Sequence, residues 1–238
     1  MTDLPDLKAE TEALAALLEG ADPSLPVPTC PEWTLADLAA HVGNGLLWAA
    51  ALVRTGTPPP QPDQPAPADP GPWLRRAAAL LDEAVASDPD APVWTFLGPR
   101  SARFWTRRMR NDLLVHRADA SLALGRDFRA EPSDAADALS EGLDLITASA
   151  TSGLSPALTP LRGQGVLKFT ATDTPDVWTV RRAPEAVTWS ARDEPADVTI
   201  TGTARDLLLV FSRRASPERL QVRGQEELLR HWLEHSAF

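Results

Sequence analysis

The sequence predicts a two-domain α+β protein, in which a helical bundle precedes a smaller mixed domain. Its 238 residues are enough for one large domain or two modest ones. Apolar residues recur at helical spacing up to about residue 150, whereas beyond residue 163 they alternate as in strands. We therefore expect a helical domain over residues 1–152 and an α+β domain over residues 163–238.

The first domain is expected to contain five helices. The first covers residues 6–19, and the second begins after Thr34, whose hydroxyl and the Asp37 carboxylate suit a helix N-terminus. Three more helices are expected at about 72–87, 101–124 and 133–149. Residues 57–72 hold eight of the 23 prolines, so this segment is predicted to be an extended connection.

The second domain is expected to alternate strands and helices. Four segments have strand character, at 166–171, 177–182, 186–190 and 198–201. Thr203, with Asp206 three residues later, suits the start of a helix. A short strand at 220–222 and a last helix at 226–234 complete the predicted order.

Three side chains on the predicted inward faces of two helices suggest a metal site. His41 lies on the apolar stripe of the second helix, and Asp112 and His116 lie four residues apart on the long helix. A carboxylate on a core face must be paired, protonated or metal-bound, because burying it alone is costly. Two imidazoles and one carboxylate could ligate a divalent cation and leave a coordination position open. The alternative is a simple hydrogen bond between Asp112 and His116.

Two further features of the long helix are candidates for supporting roles. Asp119 could accept a hydrogen bond from the second nitrogen of a liganding imidazole, or it could be an exposed polar residue near the helix end. Arg107 and Arg108 could form a positive rim for a substrate carboxylate, or they could belong to a solvated face.

Composition narrows the partners that we expect. The formal net charge of −10 argues against nonspecific nucleic-acid binding. No apolar run is long enough to suggest a membrane span, and the N-terminus lacks the features of a signal peptide. One cysteine cannot form an internal disulfide, which suits a reducing compartment. We expect a cytoplasmic protein that acts on a small molecule.

Three segments together resemble the mycothiol-dependent maleylpyruvate isomerase family of actinobacteria, a branch of the DinB-like metalloenzymes. They are residues 27–53, which contain CPEW before His41; residues 92–120, which contain NDLLVH; and residues 196–233. The family pattern places metal-ligating histidines at His41 and His116, and a glutamate where this chain has Asp112. Asn111 stands where the family has a further histidine. An aspartate reaches less far than a glutamate by one C–C bond, about 1.5 Å.

This resemblance implies a fold, a cofactor and an activity. The fold would be a DinB-like four-helix bundle followed by a domain similar to sterol carrier proteins. The cofactor would be a divalent metal, usually zinc, and the thiol mycothiol would be a cosubstrate. A metal-bound thiolate would add to a small electrophile, with or without a carboxylate, in an isomerase or a thiol transferase. Two alternatives remain: a non-catalytic small-molecule or lipid-binding protein with a degenerate metal site, and a metal-dependent hydrolase.

Overall fold

The chain divides into two compact units, with the boundary in the sequence between Arg129 and Ala130. This computed structural model describes residues 6–153 and 155–236. The first unit is helical, and the second combines helices with a mixed sheet. The two-domain α+β class predicted from the sequence is therefore confirmed.

Four helices form the body of the first unit. They are α1 (Leu7–Leu18), α2 (Leu35–Thr55), α3 (Gly71–Ser87) and α4 (Arg103–Ala123). Helix α2 packs on α3 and α4, and α1 packs on the same two helices. Two small hairpins accompany them: β1 (Pro26–Val27) with β2 (Cys30–Thr34), and β3 (Pro92–Val93) with β4 (Arg100–Ser101).

Helix α2 starts where the sequence predicts. The Asp37 amide donates to the Thr34 hydroxyl and the Thr34 amide donates to the Asp37 carboxylate, which forms a capping box. Gly56 ends the helix with a φ of 74°, a left-handed conformation that glycine adopts without strain. Helix α2 is long and apolar enough to cross a membrane, but its apolar residues also form part of the core of the first unit.

The proline-rich segment contains no helix or strand between residues 58 and 70, as predicted. It runs along α2 and is held there by side chains of that helix. The Trp48 indole Nε1 donates to the carbonyl of Pro59 at 2.8 Å, and the Asn44 amide donates to the carbonyl of Gln64 at 2.9 Å. The connection is therefore an ordered strap, defined here as residues 57–70.

A five-stranded mixed sheet forms the centre of the second unit. Its strands are β5 (Gly165–Ala171), β6 (Val177–Arg182), β7 (Val187–Ser190), β8 (Val198–Gly202) and β9 (Gln221–Gly224), in the order β7-β6-β5-β8-β9. Strands β5 and β8 are parallel, and the other neighbours are antiparallel. Helices α5 (Pro132–Ser152), α6 (Ala204–Phe211) and α7 (Glu226–His235) belong to this unit, with short 3-10 helices at Pro156–Leu161 and Pro217–Arg219.

The predicted domain boundary at residue 152 is wrong, because α5 belongs to the second unit. Helix α5 packs against α6 and β7. The indole of Trp178 donates to the Ser140 hydroxyl at 2.8 Å, and that of Trp189 donates to the Asp144 carboxylate at 2.9 Å. The first unit thus has four helices instead of the five expected up to residue 152.

Candidate metal centre

The structure brings His41, Asp112 and His116 together. One ligand atom of each lies within 4.8 Å of the others. His41 and Asp112 line a cleft of about 600 Å³ in the first unit, together with Phe96 and further residues of α2, α4, β2 and the strap. The helical stripes predicted this convergence, although His41 is exposed to the cleft rather than buried in the core. His116 is buried and Asp112 is partly buried.

The rings of the two histidines are neighbours. Their centroids lie 4.9 Å apart in an edge-to-face arrangement, and the Trp33 ring lies 4.8 Å from that of His41. Trp33 is held in position because it precedes the capping residue of α2 at the end of β2. Trp33 belongs to the CPEW motif before His41, but a tryptophan outside a helix carries no periodicity that would assign it to a site.

Asp119 determines which nitrogen of His116 faces the cluster. His116 Nδ1 lies 2.9 Å from Asp119 Oδ2, and the Thr29 hydroxyl donates to Asp119 Oδ1. Because an ionised carboxylate only accepts, Nδ1 carries a proton, and in the neutral imidazole Nε2 is then the nitrogen with the lone pair. Nε2 faces Asp112 Oδ2 at 3.7 Å. Two acceptors thus face each other in a partly buried space, which favours a cation between them.

The second oxygen of Asp112 is bound by an arginine from the preceding turn. Arg108 Nη2 donates to Asp112 Oδ1 at 2.5 Å, in an i,i+4 pair whose two side chains are about one-fifth exposed. This contact helps to orient the carboxylate, so that Oδ2 points towards His116. The shorter reach of aspartate therefore does not keep the carboxylate away from the imidazole.

The ring of His41 is suited to donate a lone pair at neutral pH. One side of the ring faces the open cleft, but its burial on the other side lowers the pKa of His41 below the usual range for histidine. The proximity of His116 lowers this pKa further, and Asp112 acts in the opposite direction. The neutral imidazole has one ring nitrogen free to coordinate.

The donor set fits a divalent cation. Two imidazoles and a carboxylate are ligands for Zn²⁺ and for other first-row metals. At bonds of about 2.0–2.1 Å, two ligands of one tetrahedral cation lie roughly 3.4 Å apart. The distance of 3.7 Å between His116 Nε2 and Asp112 Oδ2 is close to this spacing, and the widest separation of 4.8 Å can shrink by side-chain rotation. Three protein ligands would leave a coordination position open.

The other candidate residues are placed less favourably for the predicted roles. Arg108 lines the cleft but is bonded to Asp112, and Arg107 is not among the described residues that line it. Asn111, which stands where the resemblance expects a histidine, is buried and accepts a hydrogen bond from Arg110. Of the two arginines expected to form a rim for a substrate carboxylate, Arg108 thus contributes to the described lining of the cleft.

Comparisons with known proteins cover nearly the whole chain. A family model described as the mycothiol maleylpyruvate isomerase N-terminal domain matches residues 4–121, and one described as the MDMPI C-terminal domain matches residues 133–231. No curated protein matches the chain significantly.

Solved structures give a more distant likeness. A mutant of a mycothiol-dependent maleylpyruvate isomerase shares 16% sequence identity, with 91% of this chain and 89% of that chain covered and a TM-score of 0.54. A UbiJ-SCP2 ubiquinone synthesis protein shares 21% identity over 39% of this chain and 93% of that chain, with a TM-score of 0.29. The first of these likenesses supports the fold.

Proposed function

Because the chain belongs to the mycothiol maleylpyruvate isomerase family, we propose that it is a metalloenzyme that uses mycothiol as a cosubstrate. Its reaction would be either isomerisation of a small electrophile or transfer of the thiol to it. We further propose that His41, Asp112 and His116 hold a divalent metal, with zinc as the first candidate. The charge and composition of the chain suit a cytoplasmic enzyme with small-molecule partners.

The observation that carries this proposal is the close approach of two hydrogen-bond acceptors, one on His116 and one on Asp112. The lone pair of His116 Nε2 and an oxygen of Asp112 face each other at 3.7 Å, with His41 beside them. Asp119 keeps the His116 proton on the far side of the ring. A structural hydrogen bond between Asp112 and His116 would instead need a proton between these two atoms and a shorter distance.

The side chains of the cluster have separable roles in this proposal. A divalent cation, when bound, supplies the positive charge that keeps a thiol deprotonated at neutral pH. Asp119 fixes the tautomer of His116, and Arg108 orients Asp112. Trp33 covers one side of His41 and reduces the access of water to it.

The reaction class follows from the chemistry of a thiolate. Its sulfur forms a bond to an electrophilic carbon of an unsaturated carbonyl compound, and the displaced π-electron pair moves to the carbonyl oxygen. The former double bond can then rotate. Expulsion of the same thiolate completes an isomerisation, whereas protonation of the carbon next to the carbonyl completes a transfer.

Metal analysis combined with a thiol-dependence assay tests the proposal. The purified protein should contain about one divalent metal ion per chain, and consumption of an unsaturated keto acid such as maleylpyruvate, or of a neutral enone, should require both metal and mycothiol. Metal-dependent turnover without thiol would identify a hydrolase instead. Absence of metal after incubation with zinc, iron or manganese salts would favour a non-catalytic binding protein.

A further inference from the structure

The cleft that His41 and Asp112 line also has an apolar wall. This wall has no part in the proposed binding of the metal. Its aromatic lining consists of Trp33, Trp48, Phe96 and Trp105. Trp105 packs edge-to-face against Trp48 at 5.2 Å and against Phe96 at 5.5 Å. Trp48 and Trp105 are buried, whereas the Phe96 side chain is 46% exposed. Phe96 therefore offers ring surface at the cleft, and Trp105 joins its ring to that of Trp48.

The strap forms another part of the cleft lining. It contributes Gln61, Pro62 and Asp63. The hydrogen bonds from Trp48 to Pro59 and from Asn44 to Gln64 fix the strap on both sides of these residues. Because prolines restrict the backbone, this wall is formed before any ligand arrives. The space suits a flat group that is inserted against the aromatic side chains.

The charges around the cleft are mainly negative. Its lining includes three exposed acidic residues, Glu32, Asp37 and Asp63. It also includes the partly buried Asp112 of the proposed metal site. Among the described lining residues, Arg108 is the one arginine or lysine, and its guanidinium is bonded to Asp112. Asp112 would balance one charge of a divalent cation and a thiolate the other, which leaves the single positive charge of Arg108 against Glu32, Asp37 and Asp63. A carboxylate on the substrate would thus meet a lining of net negative charge, which repels it.

We propose that the electrophile is uncharged and carries a planar apolar group, which packs against Phe96 and the Trp48–Trp105 pair beside the strap. This inference rests on the proposed function and deepens it by naming the substrate class. The cleft would discriminate against dicarboxylates. Phe96 would be a specificity-determining residue for the apolar group, and Glu32 and Asp63 would repel carboxylates. The addition itself forms one S–C bond and one C–H bond and breaks the S–H bond of the thiol and the π bond of the C=C group, with water carrying the thiol proton to the carbon.

A matched pair of electrophiles tests the inference directly. Methyl (E)-3-benzoylacrylate and the (E)-3-benzoylacrylate anion share one framework and differ by one charge. Each enzymatic rate with mycothiol is divided by the uncatalysed rate with the same thiol, so that intrinsic reactivity cancels. We expect the ester to be favoured by about tenfold or more, because the acidic side chains that line the cleft repel the anion. Equal enhancement, or a preference for the anion, would overturn the inference.

Binding of unreactive analogues separates this inference from the proposed function. Methyl 3-benzoylpropionate and the 3-benzoylpropionate anion cannot add a thiol, and their binding can be followed by quenching of tryptophan fluorescence without metal or mycothiol. The ester should bind at least fivefold more tightly than the anion. If the ester is favoured but no thiol-dependent turnover occurs, the substrate-class inference stands and the proposed function fails.

Variants locate the selectivity in the cleft. Phe96→Ala should weaken binding of the neutral ester by about fivefold to tenfold, through loss of an aromatic contact. Asp63→Asn should improve binding of the anion and leave the ester unchanged. Asp127→Asn makes the same charge change at an exposed position outside the cleft lining and should alter neither ligand. If Asp127→Asn changes the preference as much as Asp63→Asn does, the cleft charges are not its cause.

Discussion

His116 and Asp119, three residues apart on α4, share a hydrogen bond of 2.9 Å between Nδ1 and Oδ2, and the buried Asp119 carboxylate also accepts from the Thr29 hydroxyl. This contact orients the imidazole from behind. It leaves Nε2 of His116 facing Asp112 and His41. The negative charge of the Asp119 carboxylate favours a cation on the opposite side of the ring.

The first prediction follows from this pair. Asp119→Asn keeps the shape of the side chain but removes its charge, so that the His116 tautomer is no longer fixed. We expect metal affinity to fall by about 10–100-fold, the usual effect of removing such a partner. Thr29→Val, which removes one donor to Asp119 and leaves its charge, should have a smaller effect. Competition with a chromophoric chelator measures both, and equal affinity in Asp119→Asn and the parent would contradict the assigned role.

The sequence could predict those parts of the centre that depend on one helix. Asp112, His116 and Asp119 lie on α4, so that helical spacing alone brings them near one another. The contact of Thr29 with Asp119 joins residues 90 positions apart and could not be predicted from spacing. The open cleft beside His41 also could not be predicted, because helical periodicity indicates a face but not the space next to it. The helix at about 133–149 was also predicted from the sequence, yet its helical pattern does not say which unit it packs against.

The second prediction concerns the carboxylate of the cluster. Asp112→Ala and Asp112→Asn should both abolish stoichiometric metal binding, since each removes a negative oxygen donor. Asp112→Glu should retain the metal, because it keeps the carboxylate and lengthens its reach. Elemental analysis after dialysis gives the metal content of each variant, with Asp127→Asn as a control for the change in net charge. Full metal content in Asp112→Asn would exclude Asp112 as a ligand.

Unfolding measurements on the same variants test the alternative that Asp112 only orients His116. If so, Asp112→Ala would lower stability by about 1–3 kcal/mol, through an unsatisfied imidazole, in metal-free and metal-treated protein alike. If Asp112 is a ligand, added metal should raise the melting temperature of the parent and of Asp112→Glu, but not that of Asp112→Ala.

The third prediction tests the close approach of α2 and α3. A Cβ at Gly43 would lie 2.1 Å from a ring carbon of Trp73, so Gly43→Ala should cost roughly 1–3 kcal/mol of unfolding free energy by overpacking. Gly45 lies on the same helix, and its Cβ would meet only the flexible end of Met109 at 3.2 Å. Gly45→Ala should therefore be neutral or should stabilise the helix by up to about 1 kcal/mol. Urea denaturation compares the two, and equal midpoints would show that Trp73 moves aside freely.

The last prediction concerns the ion pair that joins α1 to the helix carrying His116. Arg117 donates to both oxygens of Glu10, with the second contact at 3.3 Å, and the Glu10 side chain is 8% exposed. The guanidinium also donates to the carbonyl of Arg129 at 2.7 Å and lies 5.0 Å from the centroid of Phe128. Removing the carboxylate would leave a largely buried cation with one backbone acceptor.

We therefore expect Glu10→Ala to cost about 2–4 kcal/mol of unfolding free energy, close to the range for breaking a buried pair. Glu12→Ala is the matched control, because Glu12 lies on the same helix and pairs with Arg75 at 2.8 Å, but both side chains are nearly half exposed. Exposed pairs contribute about 0–1 kcal/mol. Urea denaturation measures both variants, and a loss in Glu12→Ala as large as that in Glu10→Ala would contradict a special role for the buried pair. Below the unfolding transition, Glu10→Ala should still bind metal, because Arg117 donates to Glu10 and to Arg129 and has no hydrogen bond to the three donors among its described contacts.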